Sequence, residues 1–420
     1  MPNPKLLLGK VATRPNLQGA WEDISRSARP FSHGISGQTI QDFRANWKSN
    51  IESIRHDLLS EAYRFGQVRA ATTKKKGGKK RPLRIADIRD RVVQRAITRV
   101  LDRKLSKKFK LDNRASYAYL PGKGTRSAIK QMLQYHQDGC RFILEADIMD
   151  FFGTVNTSKL LHDLIFPNLA DTTINALIEA AFQMEVGNLH DLPEEDWELY
   201  PESSVGLPQG GYLSPLFSNI YLSEFDQRML KEKFRLIRYA DDFIVMCKTQ
   251  NEAEGAYDLS RKFLEDELGL KLHYRDDNDK LARTRIVRVS QKPILFLGIQ
   301  FNGLRIWPSK NKRRNLIYKL DQVGRESRNV LELLTSMKNL IAGWIAAYGF
   351  TDLDSSYVVS IDNEVNKCLW KALKKLKWNI SREPVSDEQR INSGVDPVNS
   401  YLMRVRKGLK DQDLFSKYWT

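Results

Sequence analysis

Two adjacent carboxylates, Asp241 and Asp242, constrain the fold of this chain more than any other feature of its sequence. They lie between a β-forming run that ends in Leu236-Ile237 and another that begins with Ile244-Val245. Two like charges placed side by side between strands cost stability, so the pattern predicts that a divalent metal binds against them. The alternative is that the pair forms an ordinary hairpin turn.

A third carboxylate, Asp147, follows the apolar run from Phe142 to Ala146. This run predicts a short buried strand, with Asp147 at its C-terminal end. If the strands bring their acids together, the cluster can hold two Mg²⁺ ions about 3.5 to 4 Å apart and catalyse in-line displacement at a phosphate. The alternative is that Asp147 caps the next segment.

A glycine motif from Gly206 to Pro215 lies between these acids. Ser214 suits an N-cap and Pro215 the first helical position, so the motif predicts a loop that leads into a helix N-terminus. The apolar residues that follow have the spacing of one helix face: Leu216, Phe217, Ile220, Tyr221, Leu222 and Phe225. A phosphate or base pair can approach the backbone of such a loop, although a Gly-Gly pair alone is more often a turn.

In this order, the acid, the Leu-Pro-Gln-Gly-Gly helix motif and Tyr-Ala-Asp-Asp resemble the palm of a reverse transcriptase. The resemblance implies that Asp147, Asp241 and Asp242 are the catalytic triad. Asp147 and Asp241 would be direct metal ligands, with Asp242 and the Ile148 carbonyl as further ones. The implied cofactor is a pair of Mg²⁺ ions, for which Mn²⁺ can substitute.

The same resemblance implies a nucleotide site. Phe152 matches the aromatic gate that excludes a ribose 2′-hydroxyl, although it also fits an ordinary core aromatic. Gln209 matches the residue that contacts the incoming nucleotide, and Gly210 and Gly211 lie beside the template. The segment Phe296-Leu297-Gly298 resembles a primer grip.

Basic residues concentrate between Arg69 and Lys110, with 17 Lys or Arg against three acids. A basic loop before a predicted helix is similar to a fingers domain that closes over a triphosphate. Arg81 and Arg84 are the candidate phosphate contacts, and Lys79 is a further one. Overall, 68 Lys and Arg against 51 Asp and Glu give a net charge of +17, which predicts a polyanionic partner.

Neither a signal peptide nor a long apolar run is evident, so we expect a cytoplasmic protein without a membrane partner. Three cysteines, Cys140, Cys247 and Cys368, match neither a metal-ligand spacing nor a disulfide framework.

The resemblance extends along the chain and implies an α/β fold of the α+β type. This is a right-hand polymerase with fingers, an antiparallel palm sheet and a helical thumb. Arg81 to Ile97 and Ser116 to Gly124 are similar to the first two conserved blocks of group II intron reverse transcriptases. The implied domains are an N-terminal extension (1–68), fingers (69–140), palm (141–303), helical thumb (304–350) and C-terminal helical RNA-binding extension (351–420).

One block departs from the family. The lysine expected soon after Leu268-Gly269-Leu270, a general acid for pyrophosphate departure, is displaced by the acidic segment 276–279. Lys280 and Arg283 are the remaining candidates for that role, and an ordinary surface position explains them better.

The predicted function is RNA-directed DNA polymerisation, copying an RNA template into cDNA from deoxynucleotides. No endonuclease motif follows the predicted thumb, and this plan resembles bacterial defence-associated reverse transcriptases of the class 2 type. These act against phage with a cognate noncoding RNA. The alternatives are a group II intron maturase, and an RNA-binding scaffold or untemplated polymerase that retains the palm. Protein partners stay open.

Overall fold

The computed structural model describes residues 5–74, 80–200, 206–279, 282–378, 387–392 and 394–408. The chain divides into two compact units. The first comprises Met1–Gly122, Ala146–Phe243 and Ala256–Tyr274, and the second comprises Lys123–Glu145, Ile244–Gly255 and Arg275–Thr420.

The described residues form both helices and strands. The helices are α1 Leu7–Val11, α2 Arg14–Ser27, α3 Ile40–Ala45, α4 Trp47–Leu59, α5 Ile88–Lys108, α6 Thr125–Gln137, α7 Phe151–Thr154, α8 Asn175–Phe182, α9 Ser214–Tyr221, α10 Ser223–Lys231, α11 Gln250–Lys262, α12 Lys310–Glu326, α13 Val330–Tyr348, α14 Ser355–Lys375, α15 Asp387–Asn392 and α16 Val398–Lys407. The strands are β1 Arg69–Lys74, β2 Lys80–Ile85, β3 Phe142–Asp147, β4 Arg235–Tyr239, β5 Asp242–Cys247, β6 Arg285–Arg288, β7 Ile294–Phe296, β8 Ile299–Phe301 and β9 Ile306–Pro308.

Helix α5 is the central helix of the first unit. Its apolar stripe is buried at Val93, Ile97, Leu101 and Leu105, and the helix packs against α1, α2, α4 and α9. Burial of this stripe, rather than helix propensity, stabilises so long a basic helix. Strands β1 and β2, which precede it, form an antiparallel hairpin with Arg69 opposite Ile85.

A four-stranded sheet has the order β4-β5-β3-β6. Strand β3 is the buried strand predicted before Asp147, and it pairs antiparallel with β6, Phe142 opposite Arg288. The Arg141 N–H donates to the Cys247 carbonyl at 2.9 Å, so the start of β3 lies beside the end of β5. These strands are therefore antiparallel as well.

The predicted helix after the glycine motif is two helices. Its apolar residues are buried as expected, but α9 ends at Tyr221 and α10 begins at Ser223. At this junction the Ser223 hydroxyl donates to the Ile220 carbonyl at 2.7 Å. The prediction of Ser214 as N-cap is also wrong, because Leu213 holds that position and the Ser214 hydroxyl donates to the Pro208 carbonyl at 2.8 Å.

The second unit contains a three-stranded antiparallel sheet, β7-β8-β9, and the helices from α12 onward. Leu316 and Leu320 of α12 pack in one core cluster with Leu333, Met337 and Ile341 of α13. Leu331, near the start of α13, is 76% exposed.

Helix α13 is the one described helix long and apolar enough to cross a membrane, with a mean hydropathy of 1.2. Length and composition alone are weak evidence for a span, since core helices meet the same test. Its side chains at Leu333, Met337 and Ile341 are in the protein core.

Candidate active site

The two adjacent acids lie at a tight turn. Strand β4 ends at Tyr239 and β5 begins at Asp242, so Ala240 and Asp241 form a two-residue connection. Ala240 has a φ of 59°, in the left-handed region that a residue with a Cβ rarely adopts. Such strain persists only where the surrounding structure enforces it.

Strand register brings Asp147 to this turn. Asp147 lies six residues after Arg141, and Asp241 lies six residues before Cys247. Because the Arg141–Cys247 pair is antiparallel, the same register places Asp147 opposite Asp241. Residues so opposed have Cβ atoms about 4.5 to 5.5 Å apart on one face of the sheet, whereas Asp242 belongs to the other face.

A fully buried guanidinium holds the turn. Arg238 donates from Nε to Asp226 Oδ1 at 2.6 Å and from Nη2 to Asp226 Oδ2 at 2.5 Å. It also donates to the Ala240 carbonyl at 3.0 Å, to Asn219 Oδ1 at 3.1 Å and to Ser116 Oγ at 3.1 Å. Arg238 therefore connects α9 and α10 with the turn that contains Asp241.

Asp147 has a neighbour that the sequence did not reveal. The His273 imidazole lies with Nε2 3.7 Å from Asp147 Oδ2, and the His273 N–H donates to the Asp147 carbonyl at 3.1 Å. A bridge between Ile148 and Leu272 aligns the two segments. The available signal was the position of His273 directly after the Leu-Gly-Leu block.

The donors at this end of the sheet fit a hard cation. Asp147, Asp241 and Asp242 are partly exposed carboxylates, and carboxylate oxygen is the ligand type that Mg²⁺ and Mn²⁺ prefer. Among the described residues, no three Asp, Glu, His or Cys side chains are already gathered closely enough to hold an ion. The fit thus rests on donor chemistry and strand register.

A cavity of about 510 Å³ in the first unit contains several of the predicted nucleotide-site residues. Arg81, Phe152, Gln209, Gly210 and Gly211 all line it. The remaining lining residues are Ser32, Leu83, Ile85, Arg91, Tyr119, Tyr212, Ser214 and Pro215. The aromatic side chains can stack on a base and the two arginines can bind phosphates, so this lining suits a nucleotide.

The backbone around Phe152 is closely packed. The Phe152 carbonyl accepts from the Leu207 N–H at 2.7 Å. Gly206 has a φ of 94°, and a Cβ there would lie 2.3 Å from that carbonyl. Phe151 is 1% exposed and serves as the core aromatic, whereas Phe152 is half-buried and lines the cavity.

The two candidate arginines, Arg81 and Arg84, differ in their surroundings. Arg81 is exposed at the cavity, but Arg84 is absent from its lining. Arg84 donates from Nη1 to the Met184 carbonyl at 3.2 Å, its N–H donates to the Gln209 carbonyl at 3.0 Å, and burial lowers the pKa of its guanidinium. Lys79 and Lys280 lie outside the described residues, and Arg283 does not line the cavity.

The predicted primer grip belongs to the second unit. Leu297 and Gly298 connect β7 to β8 and both have positive φ, 53° and 81°, as in a type I′ hairpin. Phe296 is fully buried. Its side chain is thus a core residue, which leaves Leu297 and the backbone as the accessible part of this segment.

The sequence did not indicate a role for two further residues of the cavity, Tyr119 and Arg91. Tyr119 has a φ of 60°, and burial together with the charge of Asp241 raises the pKa of its hydroxyl. Arg91 is 6% exposed at the start of α5. It was unremarkable among the many basic residues of this region, because only the fold shows which of them is buried.

Comparison with known proteins identifies the family of this chain. A family model described as "Reverse transcriptase (RNA-dependent DNA polymerase)" matches residues 73–301, more than half of the 420 residues. Protein YkfC of Escherichia coli is 28% identical over 328 residues, which cover 69% of this chain and 81% of YkfC. Group II intron-encoded protein LtrA of Lactococcus lactis is 28% identical over 226 residues, 54% of this chain and 35% of LtrA.

Among solved structures, apo telomerase from Candida tropicalis aligns with a TM-score of 0.45 and 13% identity, covering 89% of this chain and 74% of that one. This TM-score is low, so the assignment rests on the family match and on the motifs that it contains. The antiparallel sheet with its covering helices agrees with the right-hand polymerase class predicted from the sequence. The chain belongs to the reverse transcriptase family and is an RNA-directed DNA polymerase, a nucleotidyltransferase.

Proposed function

We propose that this protein copies an RNA template into DNA with Asp147, Asp241 and Asp242 as its catalytic carboxylates. The observation that carries the proposal is the register that sets Asp147 opposite Asp241. The parallel bridge between Ser116 and Arg238, which brings the segment of the cavity residue Tyr119 toward the Asp241 turn, supports a reaction at the mouth of that cavity.

The carboxylates of Asp147 and Asp241 would hold a pair of Mg²⁺ ions directly, with Asp242 and the Ile148 carbonyl in support. Bound Mg²⁺ lowers the pKa of an attacking hydroxyl and neutralises charge on the phosphate. Asp147 and Asp241 fix the position of the reacting groups, and the Arg238 contacts keep Asp241 in place.

Cavity residues would select the nucleotide. Arg81 would neutralise the triphosphate, because its guanidinium is exposed at the cavity. Phe152 would pack under the sugar and exclude a 2′-hydroxyl, and Gln209, beside it in the lining, would contact the incoming nucleotide. Leu297 and Gly298 would contact the primer, and Gly210 and Gly211 the template.

Primer extension tests this proposal. The purified full-length protein is incubated with an RNA template, an annealed DNA primer, deoxynucleotides and Mg²⁺. We expect a product of template length that resists RNase and is degraded by DNase. Binding of the duplex without any synthesis would contradict the proposal and favour an RNA-binding scaffold, and extension without a template would favour an untemplated polymerase.

We also propose that the template is a cognate noncoding RNA and that the protein acts in the cytoplasm in antiphage defence. The support is the resemblance of its plan, with group II-like motifs, to bacterial defence-associated reverse transcriptases. Sequencing of the RNA and DNA that co-purify with the protein, with and without phage infection, tests this role. One structured RNA with its matching cDNA is the expected result, and a random sample of cellular RNA contradicts it.

An intron maturase is the second candidate, because LtrA is a group II intron-encoded protein. A maturase would accelerate the splicing of an intron encoded around its own gene. Splicing of that RNA in the presence of a triad variant would favour this function, since folding an RNA does not require Asp241.

A further inference from the structure

Arg91 is a charged cavity residue that the proposed reaction does not use. It lies in the first turn of α5 with its side chain 6% exposed. Nε donates to the Ala86 carbonyl at 2.7 Å, and Nη1 donates to Ser32 Oγ at 3.1 Å. The third nitrogen, Nη2, is buried and has no hydrogen-bond partner within the described part of the chain.

The acids nearest to Arg91 in the sequence are engaged elsewhere. Asp90 accepts from the Tyr63 hydroxyl at 2.6 Å and from the Gly66 N–H at 3.1 Å. Asp87 accepts from the backbone and hydroxyl of Ser36 at 3.1 and 2.9 Å. Within the described residues, Arg91 therefore lacks an ion pair.

The position of this charge is unfavourable for the protein alone. A cation in the first turn of a helix is repelled by the positive end of the helix dipole. Burial lowers the pKa of Arg91 as well. A buried charge with an orphaned donor is retained at such a cost where an anion binds to it.

The cavity has two ends. Ser116 forms a parallel bridge with Arg238, so the segment that leads to Tyr119 lies beside the strand that leads to the Asp241 turn, and Tyr119 marks the end near the carboxylates. Arg91 instead donates to Ser32 and to the Ala86 carbonyl. An incoming triphosphate must place its α-phosphate at the Asp241 end and, in the proposed function, its outer phosphates at the exposed Arg81, so the anion at the Arg91 end belongs to a different strand.

The cavity wall around Arg91 is held in place by packing and hydrogen bonds within the protein. A Cβ on Gly34 would lie 2.2 Å from Asp87 Oδ1, so the loop that contains Ser32 packs tightly on the start of α5. On the other side, the Gln94 side chain accepts from the Tyr212 N–H at 3.0 Å. Arg91 is therefore held between two fixed segments at the cavity wall, and its buried Nη2 is a donor without a partner among the described residues.

We infer that Arg91 binds a backbone phosphate of the template strand, next to the nucleotide being copied. The inference rests on the proposed function and extends it by assigning a strand and a chemical group to this end of the cavity. A phosphodiester supplies the anionic oxygen that an arginine prefers. Arg91 would position the template without touching the reacting atoms.

A scan of the template tests the contact on the wild-type protein. One phosphodiester at a time is replaced by an uncharged methylphosphonate, and binding of the template–primer duplex is measured by fluorescence anisotropy. At one linkage near the templating nucleotide we expect about a three- to tenfold loss of affinity. That loss should disappear in Arg91→Gln, because the protein partner is already gone.

A second measurement separates the template from the nucleotide. Arg91→Gln should reduce the slope of log Kd against log salt by about 0.7 to 1, while KM for deoxynucleotides stays unchanged. Arg91→Lys should restore part of the slope. Arg103→Gln, an exposed residue on the same helix, removes the same charge and should change the affinity less at every linkage.

Three outcomes would overturn the inference. These are a scan with no linkage whose effect depends on Arg91, an Arg91→Gln variant that raises KM for the nucleotide alone, and an Arg103→Gln variant whose effect on affinity matches that of Arg91→Gln. If Arg91→Gln does not fold, the wild-type scan still decides, because the absence of any sensitive linkage contradicts a phosphate contact. Failure of the wild-type protein to extend a primer would instead overturn the proposed function.

Discussion

Arg238 is the residue that most directly determines the geometry of the Asp241 turn. Its guanidinium is completely buried and bridges Asp226 and the Ala240 carbonyl. A buried ion pair contributes little net stability compared with an apolar pair of the same volume, but its geometry is specific. Here the ion pair matters because it fixes the position of the strained turn that contains Ala240.

Arg238→Met should separate stability from positioning. Alone, the substitution leaves the Asp226 carboxylate buried and unpaired, which costs about 3 to 5 kcal/mol in the free energy of unfolding. Adding Asp226→Leu should recover much of that stability but not the rate of primer extension, because the Ala240 carbonyl still lacks its donor. Denaturant unfolding and single-turnover extension measure the two effects, and full activity in the double variant would contradict this role.

Phe152→Val should admit ribonucleotides. Removing most of the side chain opens space for a 2′-hydroxyl, and the ratio of kcat/KM for deoxynucleotides over ribonucleotides should fall by about 10- to 200-fold. Phe151→Leu is the matched control, because that ring is buried in the core and its loss should affect stability alone. Equal discrimination by Phe152→Val and the wild type would make Phe152 an ordinary packing residue.

At this scale, the sequence offers as candidates the residues that belong to continuous motifs. The acids, Phe152 and Gln209 could be proposed as site residues because the motifs that contain them resemble the reverse transcriptase palm. Arg91, Arg238 and His273 could not, since their roles depend on partners that are distant in the sequence. His273, for example, approaches Asp147 across 126 positions, the difference between their numbers.

The hairpin at Leu297-Gly298 is the element with the clearest local strain. A type I′ turn requires positive φ at both positions, which glycine accepts readily and leucine does not. Asparagine or aspartate normally occupies the first position. Leucine at this position indicates a role other than stability.

Leu297→Asn should therefore stabilise the protein and weaken primer binding. We expect a gain of about 1 kcal/mol in the free energy of unfolding, because asparagine tolerates the left-handed conformation. Gly298→Ala is the converse control and should destabilise. Thermal unfolding and the affinity for a template–primer duplex test both statements, and a stabilised variant with unchanged primer affinity would remove Leu297 from the primer contact.

Elements were predicted well where apolar spacing is strong and less well where polar side chains intervene. The helix after the glycine motif was recognisable because its apolar residues have helical spacing and are buried. The break between α9 and α10 was not predicted, because hydropathy patterns do not mark where helical hydrogen bonding is interrupted.

For the whole molecule, the net charge of +17 is the dominant physical property. It predicts attraction to nucleic acid from composition alone, but not where the charge is useful. In the described structure many basic residues are paired, such as Arg95 and Arg99 with Asp23. The division of the chain into fingers, palm and thumb stays a prediction. The sequence did not predict the two compact units into which the structure divides.

Binding of an RNA–DNA duplex should depend strongly on salt. If six to ten phosphates are contacted, the affinity should fall by about 10³- to 10⁵-fold between 50 and 200 mM salt. A peptide nucleic acid paired to the same template is a control, because its uncharged strand should reduce the slope. A salt-independent affinity would contradict electrostatic recognition of the backbone.

The central claim is that Asp241 and Asp242 complete a metal-dependent site with Asp147. Asp241→Ala with Asp242→Ala should reduce primer extension by about a thousandfold or more, because the carboxylates that hold the metal are lost. The same variant should retain its unfolding temperature and duplex affinity. Single-turnover extension in Mg²⁺ is the most direct measurement: loss of synthesis in a folded, duplex-binding protein is the predicted result, and undiminished synthesis would contradict the account.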